Sequence, residues 1–237
     1  MMNPHKINRG KRKRTFWQIK DYIRQLSIVI LGIVVTFAAN DAITNYSQSK
    51  EIQSALQLVR TELEMNLEKV RKINSRIAME QKACSYLLKY AQDFQQASED
   101  TLFLYQNIPF QSRTFSYTKD AIDLLKSSSL FQKIRPKDLT LQIITTYSDL
   151  EIVAGNVKDF YNMKMHYADM LMMNEKFDVY NMDRSSSIAH FWKNFLSFRE
   201  GWNLCNFVVH NFASDSPFGD IELSLENTIR LLDQKSE

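Results

Sequence analysis

The chain is poor in the residues that turn a backbone. Its 237 residues include five glycines and four prolines, and neither type occurs between Gly32 and Pro109. Glycine supplies unusual backbone angles and proline ends helices. So long a stretch without either predicts long helices with few connections. The same shortage excludes several chemistries. There is no glycine-rich loop to cradle phosphates and no nucleophile elbow. Two cysteines and four histidines show no zinc-type spacing. Sustained period-two alternation, internal repeats and low-complexity tracts are also absent. What remains is 44% hydrophobic and 12% aromatic, the composition of a folded chain rather than a disordered one.

The net charge of +3 hides an asymmetry. Residues 1–39 carry eight Lys/Arg against one acid, Asp21, and the remainder carries 22 basic and 26 acidic residues. The basic character belongs to the N-terminal arm, and the body is mildly acidic. Within the arm, Lys11, Arg12, Lys13 and Arg14 form a "KRKR" cluster. Such a cluster can bind nucleic acid, but beside an apolar span it fixes topology and touches anionic lipid.

That span is "LSIVILGIVVTFAA", residues 26–39, with Arg24 and Asp41 flanking a wider stretch from 22 to 43. Trp17 and Tyr22 lie on one side and Tyr46 on the other. As a helix, Trp17 to Tyr46 covers roughly 43 Å, which matches a bilayer with aromatic side chains at both interfaces. A cleaved signal peptide shares the positive start and the apolar centre, and a soluble core helix shares the length. The arm is long, no A-x-A cleavage pattern follows, and helix-forming sequence continues without a break. An uncleaved anchor is therefore the expectation, with the N-terminus in the cytoplasm. Gly32, Thr36 and Asn40 fall at i, i+4 and i+8 on one face. Small residues there allow close helix approach and self-association, though they are also common in membrane helices generally.

Beyond the span, residues 50–97 read as one amphipathic helix, with Ile52, Leu56, Val59, Leu63, Leu67, Val70, Ile73 and Ile77 at three- and four-residue steps. Residues 98–117, with Pro109, read as an irregular connection. A short helix from about 119 to 131 follows. Pro136 then suits the first turn of a helix running to about 177, with Gly155 as a bend. "NEKFDVYNMDRSSS" reads as a loop. Ile188, Phe191, Phe195, Phe198, Trp202, Cys205, Val209 and Phe212 keep an unbroken 3-4 alternation and predict a single helix. Residues 220–234 predict the last one. The fold class is all-α: a single N-terminal transmembrane helix continuing into a long-helix antiparallel bundle. The domains are a basic cytoplasmic arm at 1–21, a membrane helix at 22–45 and a bundle at 46–237.

Two stretches carry a resemblance. "TFAANDAITNY" at the end of the span and "YTKDAIDLLKSSSLFQKIRPKDLTLQIITTYSDLE" further on look like a family of small bacterial single-pass envelope proteins known only as a domain of unknown function. The likeness covers the anchor and residues 115–151, and Ser129 stands where glycine is common in that family. It implies an all-helical protein of the bacterial envelope and carries no activity with it. A second resemblance rests on "RSSSIAH". An Arg followed by a His in an all-helical domain is similar to the HEPN ribonucleases, including membrane-associated CRISPR accessory proteins that form pores. It implies Arg184 stabilising charge on an RNA phosphate and His190 transferring a proton. The plainer reading makes both residues structural.

Three further groups invite chemistry. Cys84 and Cys205 both fall on apolar seams. They pair if the body faces an oxidising compartment and are core thiols otherwise. Met163, His166, Met170 and Met173 share a helix face as soft ligands of the kind that suit Cu(I), or as core filler, the more ordinary use of methionine. Acidic residues such as Asp120 and Asp123 read as solvated.

The leading expectation is a non-enzymatic, membrane-anchored interaction, scaffold or sensor protein of the bacterial inner membrane. Its body lies outside the cytoplasm and it needs no cofactor. The expected partners are the bilayer, further copies of the chain and an unidentified protein. The alternative is an anti-phage membrane effector, either a pore or a ribonuclease using Arg184 and His190. Nucleic acid is a partner only in that case.

Overall fold

The computed structural model describes residues 9–177, 187–212 and 216–236, with side chains between 27 and 235. Among the described residues there are seven α-helices and no strand, so the protein is all-α. The helices are α1 (Arg9–Lys89), α2 (Glu99–Leu104), α3 (Asp120–Ser127), α4 (Lys137–Met172), α5 (Ile188–Ser197), α6 (Arg199–His210) and α7 (Gly219–Ser236). Two compact units divide the chain, one ending at Ser54 and one beginning at Ala55.

The described part of the first unit, from Arg9, is helix alone. Lys11, Arg12, Lys13 and Arg14 lie within α1, which is already helical at Arg9. From residue 27 to 46 every side chain is exposed, including Ile28, Leu31, Val35, Phe37 and Ile43. One helix in the described chain is thus long and apolar enough to cross a membrane. Thr36 donates its hydroxyl to the Gly32 carbonyl at 2.8 Å, so its polar group is satisfied within the helix. Asn40 is exposed on the same face.

In the second unit α1 buries Leu56, Val59, Leu63, Leu67, Val70, Ile73, Ile77, Cys84 and Leu87, a stripe at helical spacing. The helix ends at Lys89, eight residues before the expected end. Asp93 and Ser98 then cap short helical turns with their side chains, because such residues compete for backbone N–H groups and stop a helix from continuing.

The chain between α1 and α4 decides the helix directions. Glu62 meets Tyr147 and Glu80 meets Lys164, so α1 and α4 run parallel. A parallel pair needs a crossover, and residues 90–136 supply it. Their extended part lies antiparallel along α1: Gln111 meets Arg76, Thr118 meets Asn66, and the Ala121 N–H meets Glu62. The Asn66 amide closes on both backbone groups of Thr118, at 2.7 and 2.9 Å, as a neighbouring strand would. α7 runs antiparallel to α1, with Arg60 paired to Asp233 and Arg71 to Glu226. It packs on α4 through the Thr146–Thr228 hydroxyl pair at 2.8 Å.

Three further expected elements change. The short helix stops at Ser127 rather than about 131, and α4 ends at Met172 rather than about 177, with no break at Gly155. The expected single aromatic helix is two helices. Phe198 sits in extended backbone between α5 and α6. At this elbow a Cβ on Gly201 would lie 2.1 Å from the Phe195 carbonyl oxygen. Beyond the elbow the buried side shifts: α6 buries Gly201, Leu204, Cys205 and Val208, and Trp202 of the expected seam is 41% exposed. Phe191, Trp192 and Phe195 form one aromatic cluster with Phe110 and Phe177, anchored by the Trp192 indole N–H on the Leu102 carbonyl at 3.0 Å.

Candidate functional site

A charged network sits inside the second unit. Glu80 and Lys164 are both fully buried. Each occupies a seam position: Glu80 falls between Ile77 and Cys84, and Lys164 between Tyr161 and Ala168. The Lys164 ammonium spends all three donors, on the Glu80 carboxylate at 2.7 Å, the Ile108 carbonyl at 2.7 Å and the Gln111 carbonyl at 2.8 Å. The second Glu80 oxygen accepts from Arg76 Nε at 2.8 Å and from the Tyr161 hydroxyl at 3.1 Å. Burial holds Lys164 below the usual lysine range, against the opposing pull of Glu80. Burial and the adjacent carboxylate push the Tyr161 phenol well above its ordinary value. Buried charge is tolerated only where such partners are complete.

The two cysteines border this network. Both are fully buried thiols. The neighbouring Cys84 side chain and burial together raise the Cys205 thiol well above its usual range. The tertiary structure has thus brought α1 and α6 together at the two thiols named from sequence.

Arg76 links the network to the surface. Its other guanidinium nitrogen donates to the Gln111 side-chain oxygen at 2.6 Å, and Arg113 donates to the same oxygen at 3.2 Å. One amide oxygen therefore holds two guanidinium groups side by side. They form part of a cleft of about 410 Å³ between α1 and the extended segment, lined by Lys69, Lys72, Ile73, Arg76, Arg113, Thr114, Phe115 and Ser116. No carboxylate lines it.

The remaining sequence candidates separate. Met163, His166, Met170 and Met173 stand on the exposed side of α4, and Met173 is 81% exposed. This corrects the core-filler reading: α4 buries Phe160, Tyr161, Lys164, Ala168 and Leu171 instead. No group of three or more His, Cys, Asp or Glu side chains among the described residues is arranged to hold a metal. Arg184 lies outside the described residues. His190 is exposed in the first turn of α5, whose N-terminus Ser187 caps. It borders a polar recess of about 220 Å³ with Asp93, Gln95 and Lys193.

Sequence reasoning missed the buried network and the cleft. The signal for the first was present: a Glu and a Lys each interrupt an otherwise apolar seam. The signal for the second was not, because its far wall is an irregular segment whose path no periodicity reveals. No protein-family model, curated protein or solved structure matches the chain.

Proposed function

We propose that this chain is a membrane-anchored helical protein of the bacterial envelope that works by binding rather than by catalysis. The observation that carries this reading is the unbroken exposure of residues 27–46 on an apolar helix. Burying an aliphatic or aromatic side chain is worth about 1.5–3 kcal/mol, so a helix with apolar side chains all round calls for a bilayer rather than water. The basic residues before the span put the N-terminus in the cytoplasm and the helical body outside. The face of Gly32, Thr36 and Asn40 suits self-association in the membrane.

A reporter pair fused after Glu237 tests the orientation, one active only in the cytoplasm and one only outside it. The expected signal is outside. A cytoplasmic signal would reverse the orientation and favour the effector reading, in which Arg184→Ala or His190→Ala abolishes RNA cleavage. Under the binding reading the full chain cleaves no RNA, and neither substitution alters its behaviour. Anchorage is tested separately. The chain should stay with membranes through alkaline carbonate washing, and release would remove the membrane from the proposal.

A further inference from the structure

The cleft between α1 and the extended segment has an unusual charge balance. Lys69, Lys72 and Arg76 follow one another at three- and four-residue steps on one face of α1, and Arg113 faces them from the opposite wall. Like charges at that spacing destabilise a helix by a few tenths of a kcal/mol per pair. Arg76 shares the Glu80 carboxylate with Lys164. Among the described residues, Lys69, Lys72 and Arg113 have no ionic partner, and the hydroxyls of Thr114 and Ser116 have no hydrogen bond. Uncompensated cations and free donors thus converge on one space.

We propose that this cleft binds the phosphate monoester group of a small organic molecule or lipid headgroup. Lys69, Lys72 and Arg113 neutralise the phosphate, Thr114 and Ser116 donate to its oxygens, and Ile73 and Phe115 pack on the carbon skeleton. Three cations exceed what one carboxylate can neutralise, whereas a phosphate monoester carries nearly two charges at neutral pH. A guanidinium fork matches phosphate oxygens in pairs. The volume is within the range of small-molecule sites, about 300–1,000 Å³, and exceeds what a bare ion needs. The site is also preorganised. The buried Lys164 holds the Gln111 backbone, and the Gln111 side chain holds Arg76 and Arg113. Binding energy is then not spent on ordering the arginines. The inference rests on the binding-protein reading but not on which side of the membrane the body occupies.

The test is calorimetric titration of the full chain in an uncharged detergent at low salt. One probe is inorganic pyrophosphate, and the other is monomeric dihexanoylphosphatidic acid. Saturable binding of one probe per chain is expected. The double variant Lys72→Gln/Arg113→Gln should weaken it at least tenfold, and Lys69→Gln should weaken it independently. Lys158→Gln, an exposed charge on α4, should leave it unchanged. So should replacement of Lys11, Arg12, Lys13 and Arg14 by Gln. Tighter pyrophosphate binding points to a soluble phosphate compound, and tighter lipid binding points to a headgroup. Three results would each overturn the site: no saturable binding of either probe, binding that survives the cleft variants, or binding lost with the arm instead. Detergent-dependent solubility of the same preparation reads anchorage separately.

Discussion

At the scale of single residues, the buried pair of Glu80 and Lys164 is the most consequential feature. Removing one member of a buried ion pair costs about 3–5 kcal/mol, because the other charge is left without a partner. Glu80→Gln should therefore lower unfolding free energy by about that amount, because the buried Lys164 then has no carboxylate, read by urea titration in detergent. Glu80→Gln/Lys164→Met should recover part of the loss, since the one cation left without a carboxylate, Arg76, reaches the surface. A loss below about 1 kcal/mol in the single variant, the scale of a surface pair, would contradict a closed network. The tyrosines predict a pH dependence. Burial, the bond to Glu62 and its charge raise the Tyr147 phenol far above its usual value, and Tyr161 is raised likewise. A raised phenol stays protonated in the fold while the unfolded chain ionises above about pH 10. The stabilisation is complete below that pH and is lost above it as the unfolded state sheds protons. Tyr147→Phe should flatten the alkaline fall in stability, and tyrosinate absorbance should show two phenols that ionise only on unfolding. The thiols give a third readout. In chain prepared under reducing conditions, Cys84 and Cys205 should resist a thiol reagent while folded and react once it is denatured.

At the scale of elements, the elbow between α5 and α6 depends on Gly201. A methyl group there meets backbone, not a movable side chain. Gly201→Ala should destabilise the protein despite alanine's better helix propensity, by about 1–3 kcal/mol, the usual cost of overpacking. A neutral or stabilising result would show that the elbow opens freely. The crossover segment is held differently. Asn66 satisfies both backbone groups of Thr118, so Asn66→Ala should cost about 1–3 kcal/mol. It should also raise amide exchange around residue 118 ahead of the helices.

At the scale of the whole molecule, sequence and tertiary structure divided the decisions. Sequence alone settled the all-α class, because helical periodicity and scarce glycine and proline leave little else for the chain to form. It marked the apolar span, since hydropathy is a local sum over neighbours. It also marked most core positions of α1, whose spacing is a property of one helix. It could not orient the helices. α1 and α4 are parallel only because residues 90–136 return the chain to the same end, and that path is set by single contacts such as Asn66 to Thr118. Periodicity along the sequence is blind to an elbow, which is why the aromatic stripe reads as one helix and folds as two, with Trp202 left exposed. The methionine face of α4 shows the converse. A local pattern cannot tell which side of a helix a distant neighbour will cover. The same limit hid the ion pair and the cleft. Glu80 and Lys164 are 84 residues apart, and Arg113 reaches Arg76 through Gln111. Charges pair by distance in space, which only the folded chain sets, whereas helices form by neighbours along the sequence.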